Sequence, residues 1–306
     1  MHHRPIHRTI LTLAAAALIG AAQAQMPPVL EIEAHDHHFE LSRESIPSGW
    51  TTIRFSNPSP AVHFAVLERM PEGRTIDDAR RDVVPVFAEA WELIMEGRVD
   101  DGFAALGNLP AWYADVTFYG GPGMTAAGAT SEVTLNLEPG YYLIECYVKT
   151  EDGIFHTELG MLDVLVVTDE ANGAAEPTAD IMIAIDDPSP DDGTNPESGI
   201  TIDGAFVAGP LTIGVRFDAE APPLLANDLH IARLDEGVRV DTVTAWMDWV
   251  QLEGLREPAP AHFVTGTQEM PQGHIAYLNV DLKPGRYLLI SERSAATPLH
   301  RVVTVE

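Results

Sequence analysis

Four side chains in this 306-residue chain have types and an order that could do chemistry together: His63, Cys146, His156 and Met161. Cys146 is the single cysteine, so no disulfide can form within the chain. In an oxidising compartment a lone thiol has to be buried, paired with another chain or held by a metal. A thiolate, two imidazoles and a thioether form a soft, mixed donor set. Sulfur favours Cu(I), imidazole serves both oxidation states, and a trigonal His/His/Cys site with a long axial thioether suits copper electron transfer. Each residue alone has a plainer reading, as a structural histidine, a small buried hydrophobe or a core methionine. The combination and its order select the metal reading.

Such a set needs a frame that brings one ligand from mid-chain to three from a late loop. From Gln25 to about Thr168 the chain reads as short half-buried antiparallel strands, for example "TTIRFSN", "EVTLNLEPG" and "GYYLIECYV", with turn residues between them. Thr75 to Leu106 breaks the pattern with helical spacing. Thr75 is an N-cap with Asp78 three residues on, Pro85 ends or kinks the helix near Val84, and Gly97 is a stop. In a β-sandwich the loop joining the last two strands can carry Cys146, His156 and Met161 to His63.

The plan then repeats. "LHIARLDEG" (229–237) echoes "VHFAVLERMPEG" (62–73), and "VDLKPGRYLLIS" (280–291) echoes "LNLEPGYYLIEC" (135–146). A helix is expected around "VDTVTAWMDWVQLEGL", where the first insertion stood. The resulting organisation is a signal peptide at 1–24, a first domain at 25–168, a linker at 169–178 and a second domain at 179–306. By this echo His230 matches His63 and Ser291 matches Cys146, while His300 falls near the Met161 position. The second copy is therefore expected to lack an electron-transfer copper and to serve packing or docking.

The stretches "NPSPAVHFAV" and "PGYYLIECYVKTEDGIFHTELGMLDVLVV" resemble the ligand loops of cupredoxins, the plastocyanin and azurin superfamily. The resemblance implies a mainly β protein of two tandem cupredoxin-like Greek-key β-sandwiches, each with a helical insertion, and a copper site at His63, Cys146, His156 and Met161. It looks closest to exported bacterial plastocyanin-like proteins with a "C…DG…H…GM" loop. Two features depart from the familiar pattern. Nine residues separate Cys146 from His156, with Asp152-Gly153 as a turn signal, and Phe64 stands where an Asn commonly ties the ligand loops together. The optical class of the site stays open on these grounds.

Arg4 and Arg8 before "TILTLAAAALIGAA" and the closing Ala22-Gln23-Ala24 read as a secretory signal, so the expected location is periplasmic or secreted. Beyond it no apolar run approaches the ~18 residues that span a bilayer. Cleavage leaves 16 basic against 46 acidic residues, about −30. Such a charge makes nucleic acid and anionic membrane surfaces poor partners; its plainer reading is solubility, its sharper one steering toward a basic redox partner protein. The expected function is one-electron transfer without catalysis. The alternative is a copper-homeostasis or metal-free interaction module using the same domains as scaffold. Multicopper oxidases and copper nitrite reductases place histidine beside the copper-binding cysteine, whereas Cys146 lies between Glu145 and Tyr147. A histidine cluster in "AHDHHFELS" reads as one strand with His35 and His37 on one face and His38 on the other, surface groups rather than a single site.

Overall fold

The computed structural model describes residues 25–186, 197, 199–219, 227–293 and 299–306. The signal-peptide segment 1–24 lies outside these residues. The first half runs β1 (Val29–His35), β2 (His38–Leu41), β3 (Ser45–Ser56), β4 (Val66–Arg69), α1 (Ile76–Asp82), α2 (Val84–Met95), α3 (Val99–Ala105), β5 (Thr117–Phe118), β6 (Thr130–Leu137), β7 (Gly140–Glu145) and β8 (Leu162–Ala171). The second half runs β9 (Ile181–Ile185), β10 (Ile200–Asp203), β11 (Gly209–Phe217), β12 (Leu229–Arg233), α4 (Val240–Met247), β13 (His262–Thr267), β14 (Ile275–Leu282), β15 (Gly285–Ile290) and β16 (His300–Val305).

Strands form where residues alternate. In β1, Leu30, Ile32 and Ala34 are buried while Val29, Glu31 and Glu33 face out, the period of two that a half-buried strand imposes. The pairing scheme of the first half recurs in the second. β1 lies parallel to β3, and β9 to β11. β3 pairs antiparallel with β6, and β11 with β14. β4 and β7 form one hairpin-like ladder, as do β12 and β15, and β7–β8 matches β15–β16. The architecture is that of cupredoxin-like β-sandwiches.

The halves are joined through their sheets. β14 pairs with β6, Tyr277 opposite Thr134 and Asn279 opposite Glu132, so one sheet of 12 strands runs through both halves. On the other layer, residues 120–126 lie between β4 and β13. Ala65 N donates to Pro122 O at 3.0 Å on one side, and Gly123 N donates to Gly266 O at 2.9 Å on the other. A side chain does not fit here: a Cβ on Gly121 would sit 1.9 Å from Ala65 O, and one on Gly123 2.6 Å from Gly266. β8 also extends to Ala171, into the stretch read as linker.

The helical insertion divides as Pro85 dictates. α1 ends at Asp82, and α2 begins at Val84 with Pro85 in its first turn, where a missing N–H costs nothing. Thr75 N donates to Asp78 Oδ2 at 3.0 Å, closing the predicted cap, and Gly97 takes φ +80° after α2. Trp91 of α2 packs on Phe155 with ring centres 5.1 Å apart and on Trp249 at 6.2 Å. The insertion therefore covers the late loop of its own half and reaches the other.

Candidate metal centre

Cys146 directly follows β7, and Met161 directly precedes β8, so the loop between these strands carries three of the four predicted ligands. The long Cys-to-His interval is taken up by a small hairpin. Lys149 and Phe155 form an antiparallel bridge, Gly153 N donates to Thr150 O at 2.9 Å, and His156 N donates to Val148 O at 2.8 Å. Gly153 makes this turn at φ +86°, a conformation that favours glycine. The chain thus returns His156 beside the start of the loop. Met161 N donates to His156 O at 2.9 Å, and Cys146 N donates to Met161 O at 3.3 Å, closing it.

His63 arrives from the other side, just before β4, in an antiparallel bridge to Thr125. Its loop is tied by Asn57, whose Nδ2 donates to Ala61 O and to Thr125 O, both at 2.8 Å. Phe64 packs edge-on against Tyr147 at 4.6 Å, pressing the first ligand segment onto the strand end that carries Cys146.

His63, Cys146 and His156 meet, all three fully buried, with ligand atoms within 4.8 Å of one another. The Cys146 Sγ lies 3.6 Å from His63 Nδ1 and 3.8 Å from His156 Nδ1. Bonds of about 2.3 Å to sulfur and 2.05 Å to nitrogen, at angles between tetrahedral and trigonal, put S and N about 3.6–3.8 Å apart. The spacing therefore fits one first-row ion. Met161 is fully buried in the same loop. Burial, and then the neighbouring His156 and His37, push His63 down to about 3, while burial pushes the Cys146 thiol up to about 12. The His63 imidazole, held neutral, is ready to ligate, whereas the thiol loses its proton only to a metal. A soft sulfur with two imidazoles suits copper among divalent and monovalent candidates.

Several expectations are corrected around this centre. His35 and His37 do not share a strand face: β1 ends at His35, and the chain turns back so that His35 pairs with His38, their rings 5.1 Å apart. His37 sits at the turn with its ring edge-on to His156 at 5.0 Å. His156 is completely buried, so it offers no exposed edge as an electron port, and Glu257 Oε1 of the second half lies 2.7 Å from its Nε2. Glu257 is the partner that sequence reasoning missed. It sits in an irregular Pro-rich stretch about 100 residues away, with no local signal of its role.

The second half differs in register as well as in residues. Arg69 pairs with Tyr142 and Arg233 with Tyr287, so His230 corresponds to Val66, and Asn227 takes the place of His63. Ser291 N donates to Leu299 O at 3.0 Å, placing Leu299, not His300, opposite Met161. Asp228, His230 and Glu292 do gather here, all buried, within 4.8 Å. Hydrogen bonds commit Asp228 and His230 of this group. Asp228 accepts from Ser291 Oγ at 2.6 Å and Glu292 N at 2.8 Å. His230 Nδ1 accepts from Met124 N at 3.1 Å, which leaves Nε2 carrying the proton that faces Asp228 at 3.4 Å. A ring in that tautomer has no lone pair for an ion.

Strand pairing and the buried His63–Cys146–His156 group define a cupredoxin-like protein. No family model matches the chain, and no curated protein matches it. Among solved structures it is similar to auracyanin A, a "blue" copper protein from Chloroflexus aurantiacus, at 24% identity and TM-score 0.28, covering 46% of this chain and 98% of that one. An auracyanin from Roseiflexus castenholzii matches at 23% identity and TM-score 0.26 over 47% and 98% of the two chains. A copper nitrite reductase from Nitrosomonas europaea matches at 14% identity and TM-score 0.23 over 92% and 94%. The assignment rests on the strand pairing and the site.

Proposed function

We propose that the protein is an exported copper-binding one-electron carrier, with His63, Cys146, His156 and Met161 as ligands. The observation that carries this reading is the buried His63–Cys146–His156 group with Sγ-to-Nδ1 distances of 3.6 and 3.8 Å. Copper, when bound, supplies a one-electron couple whose two oxidation states can share this donor set. Cys146 would give the thiolate and His63 and His156 the Nδ1 donors, with the Glu257 carboxylate 2.7 Å from His156 Nε2 on the far side of that ring. Burial of all three ligands excludes water from the donors. The neighbours of Cys146, Glu145 and Tyr147, offer no imidazole bridge to a second ion, which supports a carrier rather than an oxidase or reductase.

The formal charge of −28 supports a basic partner protein. Export is read from the leader at 1–24, and among the described residues no helix is long and apolar enough to cross a membrane.

Copper(II)-loaded protein is expected to show a thiolate-to-copper charge-transfer band and a reversible couple, both lost in Cys146→Ser. Absence of band and couple overturns the carrier reading. Full burial of His156 beneath Glu257 and His37 favours a second reading, in which the loop holds copper for homeostasis. Tight stoichiometric copper without a reversible couple selects it, whereas protein purified with little copper and a titratable thiol selects a metal-free scaffold.

A further inference from the structure

Beneath the helical insertion lies a cavity of about 580 Å³, separate from the metal ligands. The first half lends it Glu68 and Glu145 and the second half Glu269 and Glu292. Much of the remaining wall is apolar or aromatic, including Trp112, Tyr113 and Trp249. Exposed Phe103 and Glu158 also line it, so it communicates with solvent.

Carboxylates facing an apolar space are costly without compensation. Glu68 is 4% exposed and Glu292 1%, and in each the Oε1 oxygen has no hydrogen-bond partner. Their other bonds are few: Glu68 bonds the Glu145 carboxyl, and Glu292 Oε2 accepts from Tyr147 Oη at 3.4 Å. Burial holds Glu68 and Glu292 well above the usual carboxylate range and raises Glu269 to about 8. Lys149, a buried cation nearby, acts on Glu292 only through its charge. Its Nζ donates to Trp249 O at 3.0 Å and Gln251 O at 2.7 Å and lies 4.1 Å from the centre of the Trp91 ring.

The spacing of the acids tells which ligand they suit. Among the described residues, two groups bring three or more metal-type donors within 4.8 Å, namely His63–Cys146–His156 and Asp228–His230–Glu292. The four cavity carboxylates form no such group, so they are too spread for the shell of one metal ion, whose oxygens lie about 2.0–2.6 Å from it. An organic cation reaches further. The volume falls within the roughly 300–1,000 Å³ of small-molecule sites, unpartnered acceptor oxygens call for N–H donors, and aromatic faces attract a cation.

We propose that this cavity binds an organic ammonium ion, with its N–H groups on Glu68 and Glu292 and an apolar or aromatic body against Trp112 and Trp249. The site does not depend on the metal reading. Glu145 and Tyr147 flank Cys146, and Phe155 and Thr157 flank His156, all four lining the cavity. Thr157 Oγ1 donates to Cys146 O at 3.0 Å. A bound cation therefore lies directly behind the ligand loop.

The test is titration of metal-free, full-length mature protein with 2-phenylethylammonium and with hexylammonium, read by tryptophan fluorescence and calorimetry. At least one is expected to bind saturably at one per chain, with 2-phenylethanol or hexanol about tenfold or more weaker. Glu68→Gln and Glu292→Gln are each expected to weaken binding by about tenfold, the loss of one charge-assisted bond. Exposed Asp100→Asn leaves it unchanged. Glu269→Gln, less buried, provides the same comparison where the other variants fail to fold. Equal affinity for ammonium and alcohol, absence of saturation with both amines, or displacement of the amine by micromolar Mn²⁺ or Ca²⁺ overturns the proposal.

Discussion

The end of β7 and the end of β15 are built on the same backbone and hold opposite chemistry. After β7, Cys146 meets two buried imidazoles whose Nδ1 atoms face its sulfur. After β15, Ser291 donates to Asp228, which also binds Glu292 N and faces His230, so Asp228 and His230 are committed to hydrogen bonds. A histidine whose Nδ1 accepts a backbone N–H has no lone pair for an ion, whereas soft donors with weak mutual bonds are ready for one. The difference lies in tautomer and register as much as in the missing sulfur.

Cys146→Ser tests the first side of this contrast and carries the largest effect. Copper affinity should fall by more than the roughly 10–100-fold that loss of an outer partner costs, measured by competition with a chelator, with the fold intact by circular dichroism. Asp228→Ala tests the second side. It strands the Glu292 N–H and removes the carboxylate facing His230 Nε2, at a cost of about 3 kcal/mol or more. Denaturant unfolding should show this loss with copper stoichiometry unchanged.

Glu257→Gln connects the two halves. The carboxylate 2.7 Å from His156 Nε2 is a second-half contribution to the surroundings of a first-half site, so copper affinity should fall by about tenfold with little change in stability. The pH profile sharpens the comparison of the buried acids. Glu269 is raised to about 8, chiefly by burial and then by Asp228. Its contribution to stability is complete below the ordinary value of about 4.5 and is lost as pH rises through 8. Unfolding free energy should therefore decline across pH 4.5–8, and Glu269→Gln should remove about 1–2 kcal/mol of that decline, its partial exposure reducing the full shift. Ser291→Cys carries the smallest effect. Restoring the thiol should add no second copper per chain, because Asp228 and the His230 tautomer remain; a second equivalent by metal analysis breaks the comparison.

Much of this was legible in the chain. The alternation of "EVTLNLEPG" became β6, Thr75 and Pro85 placed the helix boundaries, and the repeat of "PGYYLIEC" as "PGRYLLIS" became β7 and β15. These signals are local, since a strand's period and a helix cap are written within a few residues. The counterpart of His63 was misassigned to His230 because sequence echo aligns similar residues, while register is set by which backbone groups pair. The strand reading of 35–38 failed because His37 stands at a hairpin turn, where period two no longer holds.

The sequence by itself determined the donors and their order: one thiol, two imidazoles and a methionine, with a Gly153 turn able to return the loop. The tertiary structure alone decided that His156 is buried under Glu257, that β6 and β14 fuse the halves into one sheet, and that four distant acids share a cavity. Those outcomes depend on contacts between residues about a hundred positions apart, and such contacts follow from which edges and faces pack together.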